Sequence, residues 1–261
     1  MRSLSIAATG MLAQQTNVEV ISNNIANMNT TAYKRQRAEF QDLLYQDLRR
    51  VGSPSSDAGT IVPTGIQIGV GVKIVGVYRI NSQGDLTSTE NNLDVAVEGN
   101  GYFQVQLPNG ESAYTRAGSF QRSPTGQLVT ADGYVVQPGI TIQQDAIDVT
   151  INRSGEVLVK LAGQTALTNA GQFDLAVFAN EAGLESIGDN LLLETPASGA
   201  ANIATPGTPG YGNIRQGFLE TANVNPVSEI TSLITAQRAY EMNSKVITAA
   251  DEMMRTVTTL R

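Results

Sequence analysis

Cysteine, histidine and tryptophan are all absent from this chain of 261 residues. Without thiols or imidazoles, thiol nucleophiles, histidine bases and nearly all zinc sites are excluded together, and any enzyme here would have to work with carboxylates, hydroxyls or lysine. The missing cysteines leave the redox compartment open. Long apolar runs are missing too: no stretch of about 18 apolar residues occurs, so no membrane insertion is expected. Charge is sparse at 16% of residues, and the balance is acidic, with a net charge of -7 and a pI near 4.7. Nucleic acid is not an expected partner, because Lys34-Arg35 and Arg49-Arg50 are too short to displace counterions from a phosphate backbone. The opening MRSLSIAATGMLAQQ resembles a short leader, but Thr9 and Gly10 break the apolar run and Gln14-Gln15 end it, so a cleaved signal is not expected.

What is present is a seven-residue apolar repeat at both ends. Leu4, Met11, Val18 and Ile25 carry it near the N-terminus, and Leu233, Tyr240, Ile247 and Met254 near the C-terminus. This spacing marks helices that bury a seam against other helices, so these eight residues are the candidate subunit-packing sites. The first helix is predicted from Ser3 to about Met28, ending in the Asn-Met-Asn-Thr-Thr cluster whose side chains compete with helical hydrogen bonds. The last is predicted to open at Asn225-Pro226, since proline is tolerated at the first helical position, and to run to Leu260. Its stripe, widened by Ala239, Val246, Met253 and Leu260, is too broad for a two-stranded seam alone. Gln14, Asn243 and several alanines dilute both seams, so the termini are expected to order only when several subunits pack together. A further helix over 33–48 is predicted from Phe40, Leu43, Leu44 and Leu48.

Between Val62 and Val177 the pattern changes to strands. VKIVGVYRI, LDVAVEG, YFQVQL and QLVTADGYVVQ alternate apolar and polar residues between turns at Pro108-Asn109-Gly110, Pro124-Thr125-Gly126 and Asp132-Gly133. The Pro-, Gly- and Ala-rich 194–213 reads as an extended connector, matched on the N-terminal side by 49–70. The expected fold class is therefore α+β. A discontinuous, coiled-coil-like helical base comprises 1–35 and 224–261, a connector region 36–90 and 194–223, and a β-rich outer domain 91–193.

No catalytic, cofactor or metal site is expected. Gly69-Val70-Gly71 leads into a strand, not into the helix N-terminus that would hold a phosphate. Glu98-Gly99-Asn100-Gly101 reads as a turn entering a strand. Asp94 and Glu98 share one face of an alternating strand as a glycosidase pair would, but a solvated strand face opposite Val95 and Val97 is the simpler reading. Asp145, Asp148, Asp189 and Glu194 lack metal-loop spacing. Asn29-Thr30-Thr31 matches the glycosylation pattern and reads as a turn. Asn23, Asn24, Asn27 and Asn29 suit either helix-end chemistry or hydrogen-bonding knobs between subunits.

Three long motifs carry a family resemblance over essentially the whole chain. AATGMLAQQTNVEVISNNIANMNTTAYKRQRAEFQDLLYQ resembles the N-terminal signature of bacterial flagellar rod and hook proteins, SQGDLTSTENNLDVAVEGNGYFQV an element shared across that axial family, and QGFLETANVNPVSEITSLITAQRAYEMNSKVI its C-terminal motif. FQDLLYQ with the following 46–65 stretch, AYTRAGSFQ and GLESIGDN point within the family toward its distal-rod members. The resemblance implies a structural subunit, not an enzyme. It would be exported unfolded and form a helical homopolymer, with its terminal helices forming a tube wall and its β head outside. The implied partners are proximal rod and hook proteins at the two ends, P and L ring proteins around the shaft, and a cap during assembly. The 46–65 stretch is expected to wedge between subunits and stiffen the rod. A proximal rod or hook paralogue is the alternative within the family, and an exported β-rich binding module or adhesin the alternative outside it. The family usually has glycine where this chain has Ala32. Alanine in a left-handed conformation costs on the order of 1 kcal/mol, so the turn is expected to depart from its usual shape.

Overall fold

The computed structural model describes residues 2–50, 64–163 and 166–259. Two long helices, α1 (Arg2–Ala26) and α2 (Pro226–Thr259), bracket a chain of short antiparallel strands, so the fold class is α+β. Contacts divide the chain into two units. The first takes the residues up to Ala26, Gln36–Arg79 and those from Asn225 on; the second takes Asn27–Arg35 and Ile80–Val224.

In the first unit α1 and α2 run antiparallel, since Asn24 near the end of α1 bonds Glu229 near the start of α2, while Gly10 meets Asn243. The side-chain oxygen of Asn225 accepts from Val227 and Ser228 N–H at 3.1 and 3.2 Å, so Asn225 caps α2 and Pro226 takes the first helical position. The α1 end unwinds into a turn in which Thr30 N–H donates to the Asn27 carbonyl, within the second unit. That turn absorbs Asn29-Thr30-Thr31.

The predicted helix over 33–48 is not formed. Gln36–Asp42 and Tyr45–Arg49 are strands, the first paired antiparallel with Val72–Arg79 and the second with Ile66–Gly69. Helix-forming residues such as Gln36, Arg37, Ala38 and Glu39 yield here to tertiary pairing. The side chain of Asn24 accepts from Gln36 N–H at 2.9 Å and donates to the Gln36 carbonyl at 2.8 Å, mimicking a neighbouring strand and setting Gln36 extended from the outset. Thereafter Ala38 and Phe40 are half-buried while Arg37 and Glu39 are exposed, the period of a strand. Residues 51–63 of the 46–65 stretch lie outside the described residues; its flanks are this Tyr45–Arg49 and Ile66–Gly69 ribbon.

The second unit is built on a branched sheet. Tyr102–Gln106 lies at its centre, hydrogen-bonded to Ser112–Thr115, Val135–Val136 and Leu175–Val177. A three-stranded meander, Ala146–Ile151, Glu156–Leu161 and Leu167–Gln172, supplies a second layer of side chains. The core between them is aromatic and aliphatic: Phe103 meets Phe120 edge-on at 5.1 Å and Phe173 at 5.6 Å, with Val105, Leu128, Ile140 and Val157 around them. The expected turns are present, with left-handed Gly110, Gly126 and Gly133. Residues 194–213 are not a free connector. Asn202–Ala204 pairs with Leu175–Val177, Ser198 is buried, and Asn213–Gln216 begins the pairing with Val95–Glu98. Low charge here reflects strand pairing and tight turns.

Ala32 keeps the left-handed angle, φ 57°, against the expectation that alanine would change the turn. Its buried N–H donates to the Glu220 carbonyl at 2.8 Å, and that bond holds the conformation despite the side chain. Ala32→Gly should therefore raise stability by about 1 kcal/mol, read as a higher urea midpoint. Gly118 is constrained by space instead: a Cβ there would sit 1.6 Å from the Val95 carbonyl oxygen. Gly118→Ala should cost at least about 1–3 kcal/mol and lower the unfolding midpoint accordingly, because the atom it meets is backbone and cannot swing aside.

Candidate functional site

The pairing of α1 with α2 uses small and polar side chains. Ala7, Ile21 and Asn24 of α1 and Glu229, Ala236 and Ala250 of α2 are buried, and Gly10 lies against Asn243, where an added Cβ would come within 3.0 Å of the amide nitrogen. On α2 the contact positions 229, 236, 243 and 250 themselves recur every seven residues. Asn24 donates to Glu229 at 3.1 Å, and the Glu229 side chain is fully buried. The other face of α1 meets the Gln36–Asp42 and Val72–Arg79 pair, with Val72 N–H donating to the Thr9 hydroxyl at 3.4 Å. Asn24 thus works within the chain, joining α1, α2 and the first strand.

The eight predicted packing residues stand beside this seam. Leu4, Met11, Val18, Ile25, Leu233, Ile247 and Met254 are half-buried, and Tyr240 is exposed. The structure brings Val18 and Tyr240 together in one groove of about 540 Å³, completed by Gln15, Glu19, Gln237 and Glu241. Seven-residue steps put Leu4, Met11 and Ile25 on the flank of Val18, and Leu233, Ile247 and Met254 on that of Tyr240. One flank of the antiparallel pair therefore carries a continuous apolar stripe. Leu12, Ile230, Ile234, Met242, Val246 and Met253 are exposed as well, so the helix pair leaves many of its large apolar side chains uncovered on more than one face.

The second unit contains a buried charge cluster that the sequence did not announce. Glu220 accepts from the Lys34 ammonium and the Gly84 N–H through one carboxylate oxygen, and from the Arg116 guanidinium at 2.8 Å through the other. All three ionic side chains are at most 7% exposed. Arg116 spends three further donors on the carbonyls of Gly101, Val97 and Gly99, binding the turn that precedes the central strand. Lys34 also donates to the Ser82 carbonyl at 2.9 Å, and Asn223 accepts from Arg35 N–H while donating to Ile80 and Ser82 carbonyls. Burial lowers the Lys34 pKa, opposed by Glu220. Burial also pushes the Glu220 carboxyl up, but Arg116, Lys34 and the Gly84 N–H outweigh it and hold the group below its ordinary range. Nearby, burial and then Glu181 raise the Tyr102 phenol.

The remaining candidates separate. Asp94 and Glu98 do not form a pair on a solvated face: Asp94 is buried and accepts from the Asn91 amide at 3.0 Å, Glu98 is exposed, and Val95, Ala96 and Val97 between them are all buried. Gly71 has φ 128° and leads directly into Val72–Arg79, while Gly99 and Gly101 form the turn before Tyr102. Among the described residues no helix is long and apolar enough to cross a membrane.

Three family models match the chain: the flagella basal body rod protein at residues 4–34, the flagellar hook protein FlgE/F/G D1 domain at 96–159, and the flagellar basal body rod FlgEFG protein C-terminal region at 215–260. The chain is 62% identical to the flagellar basal-body rod protein FlgG of Caulobacter vibrioides over the full length of both. It is 56% identical to the FlgG of Agrobacterium fabrum, with 97% of each covered, and 40% identical to that of Bacillus subtilis over 100% of this chain and 99% of the relative. The chain belongs to the FlgG family of flagellar basal-body rod proteins. It is a structural subunit of the rod in the flagellar basal body. Each of the three segments matched to FlgG-related models contributes one member of the buried cluster: Lys34, Arg116 and Glu220.

Because the folded Glu220 pKa lies below its ordinary 4.5, its stabilisation is complete above that value and fades as the pH falls through the folded value. Glu220→Gln should cost about 3–5 kcal/mol at neutral pH by leaving two buried cations unpaired. Urea unfolding followed by near-ultraviolet circular dichroism from pH 7 to 3 should also show a flatter acid limb in the variant than in the parent.

Proposed function

We propose that the chain polymerises through the apolar flank shared by α1 and α2 into the distal rod, a rigid hollow drive shaft that transmits torque to the hook and conducts exported subunits. The observation that carries this reading is the mismatch between seam and surface. Within one copy the helices meet through small and polar side chains, Gly10 against Asn243 among them, while on this flank Tyr240 is 44% exposed and Leu4, Met11, Val18, Leu233, Ile247 and Met254 are only half-buried. The exposed part of each side chain gains nothing within a monomer, whereas covering it against a neighbour adds a share of the roughly 1.5–3 kcal/mol that full burial is worth. Membership of a rod family supports a second copy as that neighbour.

In this reading the terminal helices associate between subunits in a coiled-coil-like wall around a channel, and the β-rich residues 91–193 form the outer domain toward the P and L rings. Proximal rod and hook proteins meet the two ends of the polymer, and a cap guides addition of subunits that arrive unfolded. Residues 46–65 act as the stiffening wedge, for which the exposed Tyr45–Arg49 strand offers a contact surface.

The test is a double variant, Val18→Glu with Tyr240→Glu, compared with the parent by sedimentation and negative-stain electron microscopy. Filaments are expected from the parent and not from the variant, whose urea midpoint for the second unit should be unchanged. Filaments of equal yield and form from both would refute the assignment of this flank. A dilution series of far-ultraviolet spectra on the parent should show helix content falling with polymer content.

A further inference from the structure

Strands of the second unit that lie far apart in sequence meet on one short run, 212–223, and we infer that this run is a closing strap whose docking commits the unit to fold. Leu86–Ser88 and Val95–Glu98 each pair with a single strand among the described residues, and both partners lie in the strap: Phe218–Glu220 and Asn213–Gln216. Val95, Ala96 and Val97 are fully buried, so a strand of the core has no strand to pair with until the strap arrives. Ile214 belongs to the same core as Val95 and Val97. Polar side chains carry the reach further. Gln216 accepts from Ile151 N–H at 3.0 Å and donates to the Val149 and Asn92 carbonyls at 2.7 and 2.8 Å, giving the edge of Ala146–Ile151 the bonds a neighbouring strand would make. Thr221 N–H donates to the Asp85 carbonyl at 2.9 Å, Glu220 closes the charge cluster, and Asn223 brackets Arg35 and Ile80.

The strap is the point at which the long loops close. Bonds of Gln216, Glu220 and Asn223 span from 65 to 188 residues of sequence, and each such loop costs closure entropy before its contact returns anything. Because all of them close on one run, the first contact made holds the rest near, and the strap docks as one cooperative step. Charge imposes the same order. The ion pairs of Lys34 and Arg116 both go to Glu220, so a unit closed without the strap would hold two unpaired cations inside, and one that avoids that cost stays open to water on this side. The strap ends just before Asn225, which caps α2. A chain made from its N-terminus therefore carries the unit's other strands before it carries the strap, and the closed unit and the first turn of α2 become available together. Strap docking concerns the second unit alone and is independent of the flank through which the helix pair binds a neighbour.

Refolding of the full chain from urea, with pulsed hydrogen exchange read by mass spectrometry, tests this on segments 95–98, 102–106 and 213–220. All three should gain protection in one phase, and Gln216→Ala should slow that phase at least about fivefold, since it removes three strap bonds without unpairing a charge. Glu220→Gln should slow it more, and Gln216→Ala carries the measurement if that variant does not fold. The strap has no gating role if 95–98 or 102–106 is protected in an earlier phase than 213–220. It also has none if Gln216→Ala refolds at the parental rate and only unfolds faster, because the strap would then dock after the unit is committed.

Discussion

One carboxylate organises the second unit. Glu220 is fully buried and would be intolerable there alone, since an isolated charge in a low-dielectric interior loses far more hydration than the fold can replace. Its two oxygens are satisfied by Lys34, Gly84 and Arg116, contributed by segments far apart in sequence. Arg116 in turn holds the carbonyls of residues 97, 99 and 101, so the central strand enters the core from a turn fixed by the same cluster. The Glu220 backbone carbonyl accepts from Ala32, keeping left-handed a residue that would not choose that conformation unaided. A hydrophobic substitute would fill the volume, but it would specify neither which turns meet nor at what angles, which directional charge-assisted hydrogen bonds do.

The first unit follows a different logic. Its helices approach through glycine, alanine and an Asn24–Glu229 hydrogen bond, a seam that specifies register while burying little apolar area. A seven-residue repeat normally signals where a helix meets its own partner. Here two such repeats run side by side on α2: the small and polar one at 229, 236, 243 and 250 faces α1, and the large apolar one at 233, 240, 247 and 254 flanks it.

Sequence alone revealed the helices well because their evidence is local: period, the Asn225-Pro226 start, and the asparagine-rich end of α1. The hairpin turns were legible for the same reason, since glycine at a tight turn states its backbone angle. The strand at Gln36–Asp42 was not, because its cause is Asn24, twelve residues earlier, and the pairing of Val72–Arg79 opposite it. Leu43, Leu44 and Leu48 mimic a helical stripe only by their spacing. Residues 202–204 were hidden by composition, since a strand with little charge and many small neighbours looks like a linker. The buried cluster was the least legible feature of all. A single glutamate after Phe218 and Leu219 is a weak hint of burial, and nothing in the spacing of residues 34, 116 and 220 announces that they meet.

The two units therefore divide the work that polar and apolar groups usually share. In the second, one charge cluster is inside and paired, and Phe103, Phe120 and Phe173 pack at the centre of a buried apolar core. In the first, large apolar side chains such as Tyr240, Met242 and Met253 are outside, so anything that covers them adds to its stability by mass action. On the proposed reading of the helix flank, each subunit that docks stabilises the helices it touches, and those helices present a better surface to the next. Order and assembly are in that reading one equilibrium, linked through the same apolar side chains.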